Sequence, residues 1–384
     1  MSAPRDGPRA AHAACVTLSR MVEFSIDPIG LLADLVAAKS YSGQEGPAAD
    51  VMEAALRRAG LAPQRIGHNV ICTRGRGSKT LLFNSHLDTV PASDRWTRDP
   101  WKPEIVDGRL YGLGATDAKS CVAAMAAAFA AASDPGDRGR LIFTATTEEE
   151  TGGASGPDGL ETVLPTLGRI SAGIVGEPTK LNICNGQRGL VRAFLRAIGQ
   201  AGHASRPWEG SNAIEKAAED ILAIKRLAAE VGEDYQDPAA GKPTIQCTVI
   251  AGGTAPNVIP DRCDITLDVR TTRFWGNNVA ISTIRSVVRS ELEVKSARFL
   301  PVSTDPEDPI ILAARAALPD AQLRPFGGVS DLFFLVADPA GPVPAILIGP
   351  GDGQQSHQPD EFVSVEMVRR AAAAYREIAS RYLS

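Results

Sequence analysis

The chain has 384 residues, 44% of them hydrophobic and 22% charged, and a formal net charge of −5. That length exceeds what a single core normally serves, so two domains are expected in an otherwise ordinary globular composition. The mild acidity without a long basic run argues against nucleic acid or an anionic membrane as the main partner, and no apolar stretch reaches the roughly 18 residues of a spanning helix.

Residues 1–22 lack a continuous hydrophobic region and read as a disordered extension instead of a signal peptide. Met21 is an alternative start, and His12 within the extension carries no weight. From Asp27, PIGLLADLVAA predicts a short amphipathic helix and EGPAADVMEAALRRAG a longer one ending at Gly60. The apolar runs LLFNSH, RLIFTAT and GIVGE then read as strands alternating with helices, including the Ala-rich segment after Asp117. Continuously apolar strands alternating with helices imply a largely parallel sheet covered on both faces. Near Gly186 the pattern changes. GLVRAFLRAIG alternates, SNAIEKAAEDILAIKRLAAEV is helical, PTIQCTVIAGG and DRCDITLDVRTT are strands, NNVAISTIRSVVRSELE is helical and VKSARFL is a strand. That order is β-α-β-β-α-β, a ferredoxin-like unit. The expected fold is therefore α/β, with a mixed, largely parallel catalytic sheet from residues 23–186 and 302–384 and an inserted ferredoxin-like domain at 187–301.

The six cysteines (Cys15, Cys72, Cys121, Cys184, Cys247 and Cys263) are dispersed and form no CxxC pair, which suits reduced thiols in a cytoplasm.

Every predicted strand of the first domain ends at or near a potential ligand: His86, Asp117, Glu149 with Glu150, Glu177 and His357. One such residue is an ordinary polar strand end. Recurring in order, they supply the mixed nitrogen and carboxylate set that a pair of zinc-like ions needs, at the carboxyl ends of strands where open α/β sheets place their sites. In His86-x-Asp88 the two side chains share one face of an extended strand end, so Asp88 can hold the imidazole from behind. Asp117 follows Gly112-Leu113-Gly114, and its two oxygens could bridge ions about 3.5–4 Å apart. That glycine pair lacks the third glycine of a phosphate loop and follows the turn-rich VDGRLYG, which excludes nucleotide binding and nicotinamide-dependent chemistry. Glu148, Glu149 and Glu150 would repel one another if idle. One can face metal while another acts as general base and then returns the proton to the leaving amine.

The segments HLDTVP, GLGATDAK, EEETGG, GEPT and GPG…HQPDEF resemble, in order and spacing, the M20 family of co-catalytic zinc amidohydrolases and peptidases, across roughly residues 25–384. The resemblance implies two zinc ions per chain, replaceable by cobalt, with a bridging water as the attacking group. His86 and His357 would be terminal ligands, Asp117 the bridge, Glu150 and Glu177 the remaining carboxylates, and Glu149 the general base. Glu148 stands where the family usually has aspartate, and Ser120 where it has glycine. A cis peptide between Asp117 and Ala118 is also implied. The insertion resembles the family's dimerisation domain, implying a homodimer in which His203 of the GHAS segment stabilises the oxyanion in the partner's site. Asn257 and Arg270 match positions that hold a substrate carboxylate, as the fork of a guanidinium suits. Gly328 and Ser330, in a GGxSD-like loop, are candidate pocket residues.

The implied substrates are small N-acyl amino acids or short peptides. HQPDEF looks most like acetylornithine deacetylases of arginine biosynthesis, with succinyl-diaminopimelate desuccinylase the nearest rival and a dipeptidase or carboxypeptidase next. A non-catalytic binding protein on the same fold predicts a broken ligand, and none is broken here.

Overall fold

The computed structural model describes residues 25–152, 159–338 and 341–384. The expected extension at 1–22, with His12, Cys15 and Met21, lies outside the described residues.

The first half of the chain forms α1 (Pro28–Ala37), α2 (Gly46–Arg58), β1 (Gln64–Ile66), β2 (Asn69–Gly75), β3 (Lys79–His86), α3 (Lys119–Ala131), β4 (Gly139–Thr146) and β5 (Ala172–Val175). The insertion forms β6 (Gly189–Ile198), α4 (Ala213–Asp234), β7 (Thr244–Gly252), β8 (Arg262–Thr271), α5 (Asn277–Val287) and β9 (Glu291–Ser296). The return adds α6 (Pro309–Ala317), β10 (Ala345–Leu347) and α7 (Val365–Leu383). Asp27 starts α1 by accepting the N–H groups of Ile29 and Gly30, with Pro28 at the first helical position, so local chemistry fixes that boundary.

The catalytic sheet runs β1-β2-β4-β3-β5-β10. β4, β3, β5 and β10 are mutually parallel neighbours, and β1 and β2 add antiparallel edges. Period-two alternation divides its side chains. Leu81, Phe83, Leu141 and Phe143 pack with α1, α2, α3 and α7, while Ile71, Leu82 and Ile142 face a second cluster with Leu332 and Leu335. Two buried faces are why these strands read as continuous apolar runs. All of α3 except Ala131 is buried, so its small alanines let it lie between α1, α7 and the sheet.

The insertion is a second sheet, β7-β8-β6-β9, with every neighbour antiparallel. Along β8, Cys263, Ile265, Leu267 and Val269 are buried in a core shared with α4 and α5, which leaves Asp264, Thr266, Asp268 and Arg270 on the other face. The chain enters and leaves through adjacent segments: Gly186–Gln187 pairs antiparallel with Val302–Ser303.

One expected element is shorter than its sequence suggested. The helix read over NNVAISTIRSVVRSELE stops at Val287, and Glu291–Glu293 belong to β9, which ends at Ser296 before the RFL of VKSARFL. Asp220 of α4 accepts the N–H groups of Arg289 (2.8 Å) and Ser290 (3.1 Å), giving them partners outside a helical ladder, and Val287–Val288 is a β-branched pair. Among the described residues no helix is long and apolar enough to cross a membrane.

Candidate functional site

Strand register brings the sequence-predicted residues to one edge of the catalytic sheet. His86 ends β3 opposite Thr146 of β4, Asn84 pairs with Val175 of β5, and Val175 pairs with Leu347 of β10. The chain continuing from these carboxyl ends carries Glu149–Glu150, Glu177 and His357. Asp117 arrives on the loop before α3. Gly114 in that loop has φ +79°, and a Cβ there would meet Thr89 Cγ2 at 2.7 Å, so this turn requires glycine. The Asp117–Ala118 peptide is cis.

Two sets of ligand atoms result. His86, Asp117 and Glu177 offer atoms all within 4.8 Å of one another, and so do Asp117, Glu150 and His357, so Asp117 belongs to both. His86 Nε2 is 3.4 Å from Asp117 Oδ1, and His357 Nε2 is 3.0 Å from Glu150 Oε2 and 3.7 Å from Asp117 Oδ2. His86 Nε2 and Glu177 Oε1 are buried without a hydrogen-bond partner among the described residues. Orphaned buried polar atoms are costly, and two of them facing one carboxylate suit a cation as the missing partner. Electrostatics agree. Burial and the adjacent Glu177 push Glu149 well above the usual carboxylate range, and burial and Asp117 do the same to Glu177. His357 and Glu148 both hold left-handed backbone, at φ 61° and 54°, local strain of the kind that clusters at functional sites.

Asp88 lies behind His86, not in the open site. Its Oδ1 is 3.2 Å from His86 Nδ1, and its carboxylate also accepts Ser42 Oγ–H and the N–H groups of Glu149 and Glu150. It therefore fixes both an imidazole and the glutamate turn. Glu361 has a parallel task that the sequence reading missed. Fully enclosed, it accepts the N–H of Gly114 at 3.0 Å, Thr116 at 2.7 Å and Asp117 at 3.0 Å. Its place four residues after His357 was the available signal. Lys119, whose ammonium burial lowers to about 7, donates to the carbonyls of Leu35 and Ala38 and ties the start of α3 to α1. Asp331, the aspartate of the GGxSD-like loop, is buried and accepts from Asn84 Nδ2 at 2.7 Å.

A cavity of about 240 Å³ opens on this edge, lined by Glu148, Glu149, Glu150 and His357 from the catalytic half and by Leu190, Arg192 and Arg270 from the insertion. Arg270 thus reaches the site, with Nε and Nη2 held by Asp268 at 2.7 and 3.1 Å. Ser330 lines the cavity, but its hydroxyl donates to Gln187 Oε1 at 2.7 Å; Gly328 does not line it. His203 and Asn257 are exposed on paired segments at the far end of the insertion, where Ala204 N–H donates to Asn257 O, and neither lines this chain's cavity.

A pair of acid-rich ligand sets on a parallel sheet, opening on a cavity shared with a ferredoxin-like insertion, defines a metal-dependent hydrolase. The chain belongs to peptidase family M20/M25/M40, whose model matches residues 82–381. It is 32% identical to succinyl-diaminopimelate desuccinylase of Cereibacter sphaeroides, covering 94% of this chain and 100% of that one. Succinyl-diaminopimelate desuccinylase 2 of a Ruegeria species is likewise 32% identical, over 98% of this chain and 97% of its own. In fold the chain is similar to an M20 family metallo-carboxypeptidase from Sulfolobus solfataricus, with a TM-score of 0.73 at 16% identity over 93% of this chain and 99% of that one. The chain is therefore a hydrolase of amide bonds, and these two relatives carry the name of the rival substrate reading.

Two outcomes test this geometry. The hydrogen bond to Glu150 pushes His357 up to about 9, so at neutral pH the metal-free site holds a proton there that a cation must displace. Zinc affinity should therefore rise with pH towards about 9, with proton release visible by calorimetry in buffers of different ionisation heat; pH-independent uptake would contradict it. Replacing Glu361 by Gln should weaken zinc affinity about 10–100-fold, the usual effect of removing a group that orients a ligand. Unchanged affinity in the folded variant would show that Glu361 does not position Asp117.

Proposed function

We propose that this chain is a two-zinc amidohydrolase that removes the acyl group from an N-acylated amino acid, with succinyl-diaminopimelate-type substrates ahead of N-acetyl-ornithine. One observation carries the reading: two ligand sets share Asp117 while Glu149 stands beside them on the cavity wall. The names of the full-length relatives favour desuccinylation over the deacetylation suggested by HQPDEF.

His86, Asp117 and Glu177 would hold one ion, and Asp117, Glu150 and His357 the other, with cobalt able to replace zinc. Bound there, the ions would acidify a water and polarise the scissile carbonyl. Glu149 takes the proton of the attacking water, and its raised proton affinity suits it to carry that proton and deliver it to the leaving nitrogen. The balance is amide plus water to carboxylate plus amine. Asp88 keeps His86 and the Glu149–Glu150 turn in register throughout.

The insertion, taken as residues 187–301, would pair two chains. That reading supplies a use for His203 and Asn257, which stand too far from their own cavity to line it: each would serve the partner's. The five described cysteines are all free, which fits a reducing cytoplasm.

Glu149→Gln preserves shape while removing the base, so kcat should fall about 10²–10⁴-fold with zinc still bound, whereas Glu148→Gln should be far milder. Reversed effects would shift the assignment by one residue. His203→Ala should lower kcat about 10²–10³-fold, the usual cost of one oxyanion donor. Mixed dimers of His203→Ala and Glu149→Gln chains should regain activity, because one hybrid site holds both a base and a donor. Absence of rescue in verified heterodimers would rule out a shared site.

A further inference from the structure

The cavity wall carries one cation that neither the ligand sets nor the resemblance accounts for. Arg192 lies on β6 two residues beyond Leu190, on the sheet face that is not packed against α4 and α5. In register Leu190 stands opposite Arg270 and Arg192 opposite Asp268, so both guanidinium groups project from the same face into the same cavity. They differ in engagement. Arg270 is forked onto Asp268, and Arg298, near the cavity edge, pairs with Glu161. Among the described residues the Arg192 guanidinium has neither an ion pair nor a hydrogen bond, and only the backbone of Arg192 is paired, in the sheet. Its neighbours on the wall include Leu190, Phe299, Val329 and Phe334, apolar surfaces suited to a methylene chain.

An uncommitted guanidinium lining a cavity that holds both apolar surface and Glu150 and His357 of the ligand sets is suited to receive a carboxylate through paired N–H donors. An acetyl group brings no carboxylate of its own, which leaves the α-carboxylate, for which Arg270 and Asn257 are the candidates named above. A dicarboxylic acyl group places a second carboxylate a few methylenes from the scissile carbonyl. We propose that Arg192 binds this distal carboxylate and makes the cavity selective for dicarboxylic acyl chains such as succinyl over neutral ones such as acetyl. The assignment rests on the deacylase reading above.

The test uses the zinc-loaded enzyme with N-succinyl and N-acetyl derivatives of one amino acid, alongside calorimetric binding of free succinate and acetate. In Arg192→Met the ratio of kcat/KM for succinyl over acetyl should fall about 10–100-fold, mainly through KM, the scale of losing a charge-assisted hydrogen bond. Arg192→Lys should recover part of that ratio by restoring the charge without the fork. Succinate should bind the parent enzyme more tightly than acetate does, and Arg192→Met should erase the difference. An unchanged ratio together with unchanged succinate binding overturns the assignment. If the parent enzyme cleaves neither amide yet binds succinate through Arg192, the deacylase reading falls and the carboxylate site stands. If it cleaves both and Arg192→Met depresses both equally, the carboxylate site falls and the deacylase reading stands.

Discussion

Asp88, Asp117, Glu149, Glu150 and Glu177 crowd one edge of the catalytic sheet, and each must be offset by a cation, an imidazole or an N–H group. Like charges at such separations in a poorly solvated site repel by several kcal/mol if unscreened. The surrounding structure can be understood as an answer to that repulsion. Asp88 is surrounded by donors, Asp117 is held by its backbone through Glu361, and Glu150 sits against His357. Among the described residues, His86 Nε2 and Glu177 Oε1 stay unsatisfied and mark where the protein's own partners end.

The parallel sheet makes this crowding possible. Because β4, β3, β5 and β10 point the same way, residues hundreds of positions apart in sequence emerge at one edge. The clustered residues were legible in the sequence for the same reason: His86, Glu149, Glu150, Glu177 and His357 follow apolar strands, and Asp117 follows a glycine-rich turn. The ferredoxin-like order was legible through the change from continuous to alternating apolar patterns. The supporting residues were not. Glu361 acts on backbone N–H groups, and Arg192 is one charged residue in an alternating strand. Nothing local separates these from ordinary surface or capping residues, because their meaning comes from pairing partners distant in sequence. The end of α5 was misjudged likewise, since the acceptor that stops it, Asp220, lies on another helix.

The insertion divides its labour by strand face. Buried positions of β6 and β8 hold the helices, while the opposite positions present Arg192, Asp268 and Arg270. Residues on the cavity face can thus vary at alternate positions without touching the insertion's core. Leu190, Arg192 and Arg270 are spaced by the rigid ladder of the sheet, so this wall of the cavity has a fixed pitch.

The paired segments Gly186–Gln187 and Val302–Ser303 have a consequence of their own. Entry and exit of the insertion are hydrogen-bonded neighbours, so their backbones lie only about 5 Å apart. A stretch of polypeptide whose ends meet can be spliced out and closed by a short turn without stretching what remains. The catalytic half keeps all its ligand-bearing strands on its own side of that junction. Loss of the insertion would therefore remove the Leu190, Arg192 and Arg270 wall of the cavity and spare the scaffold that gathers the charges. Ancestral recombination could exchange one function without rebuilding the other.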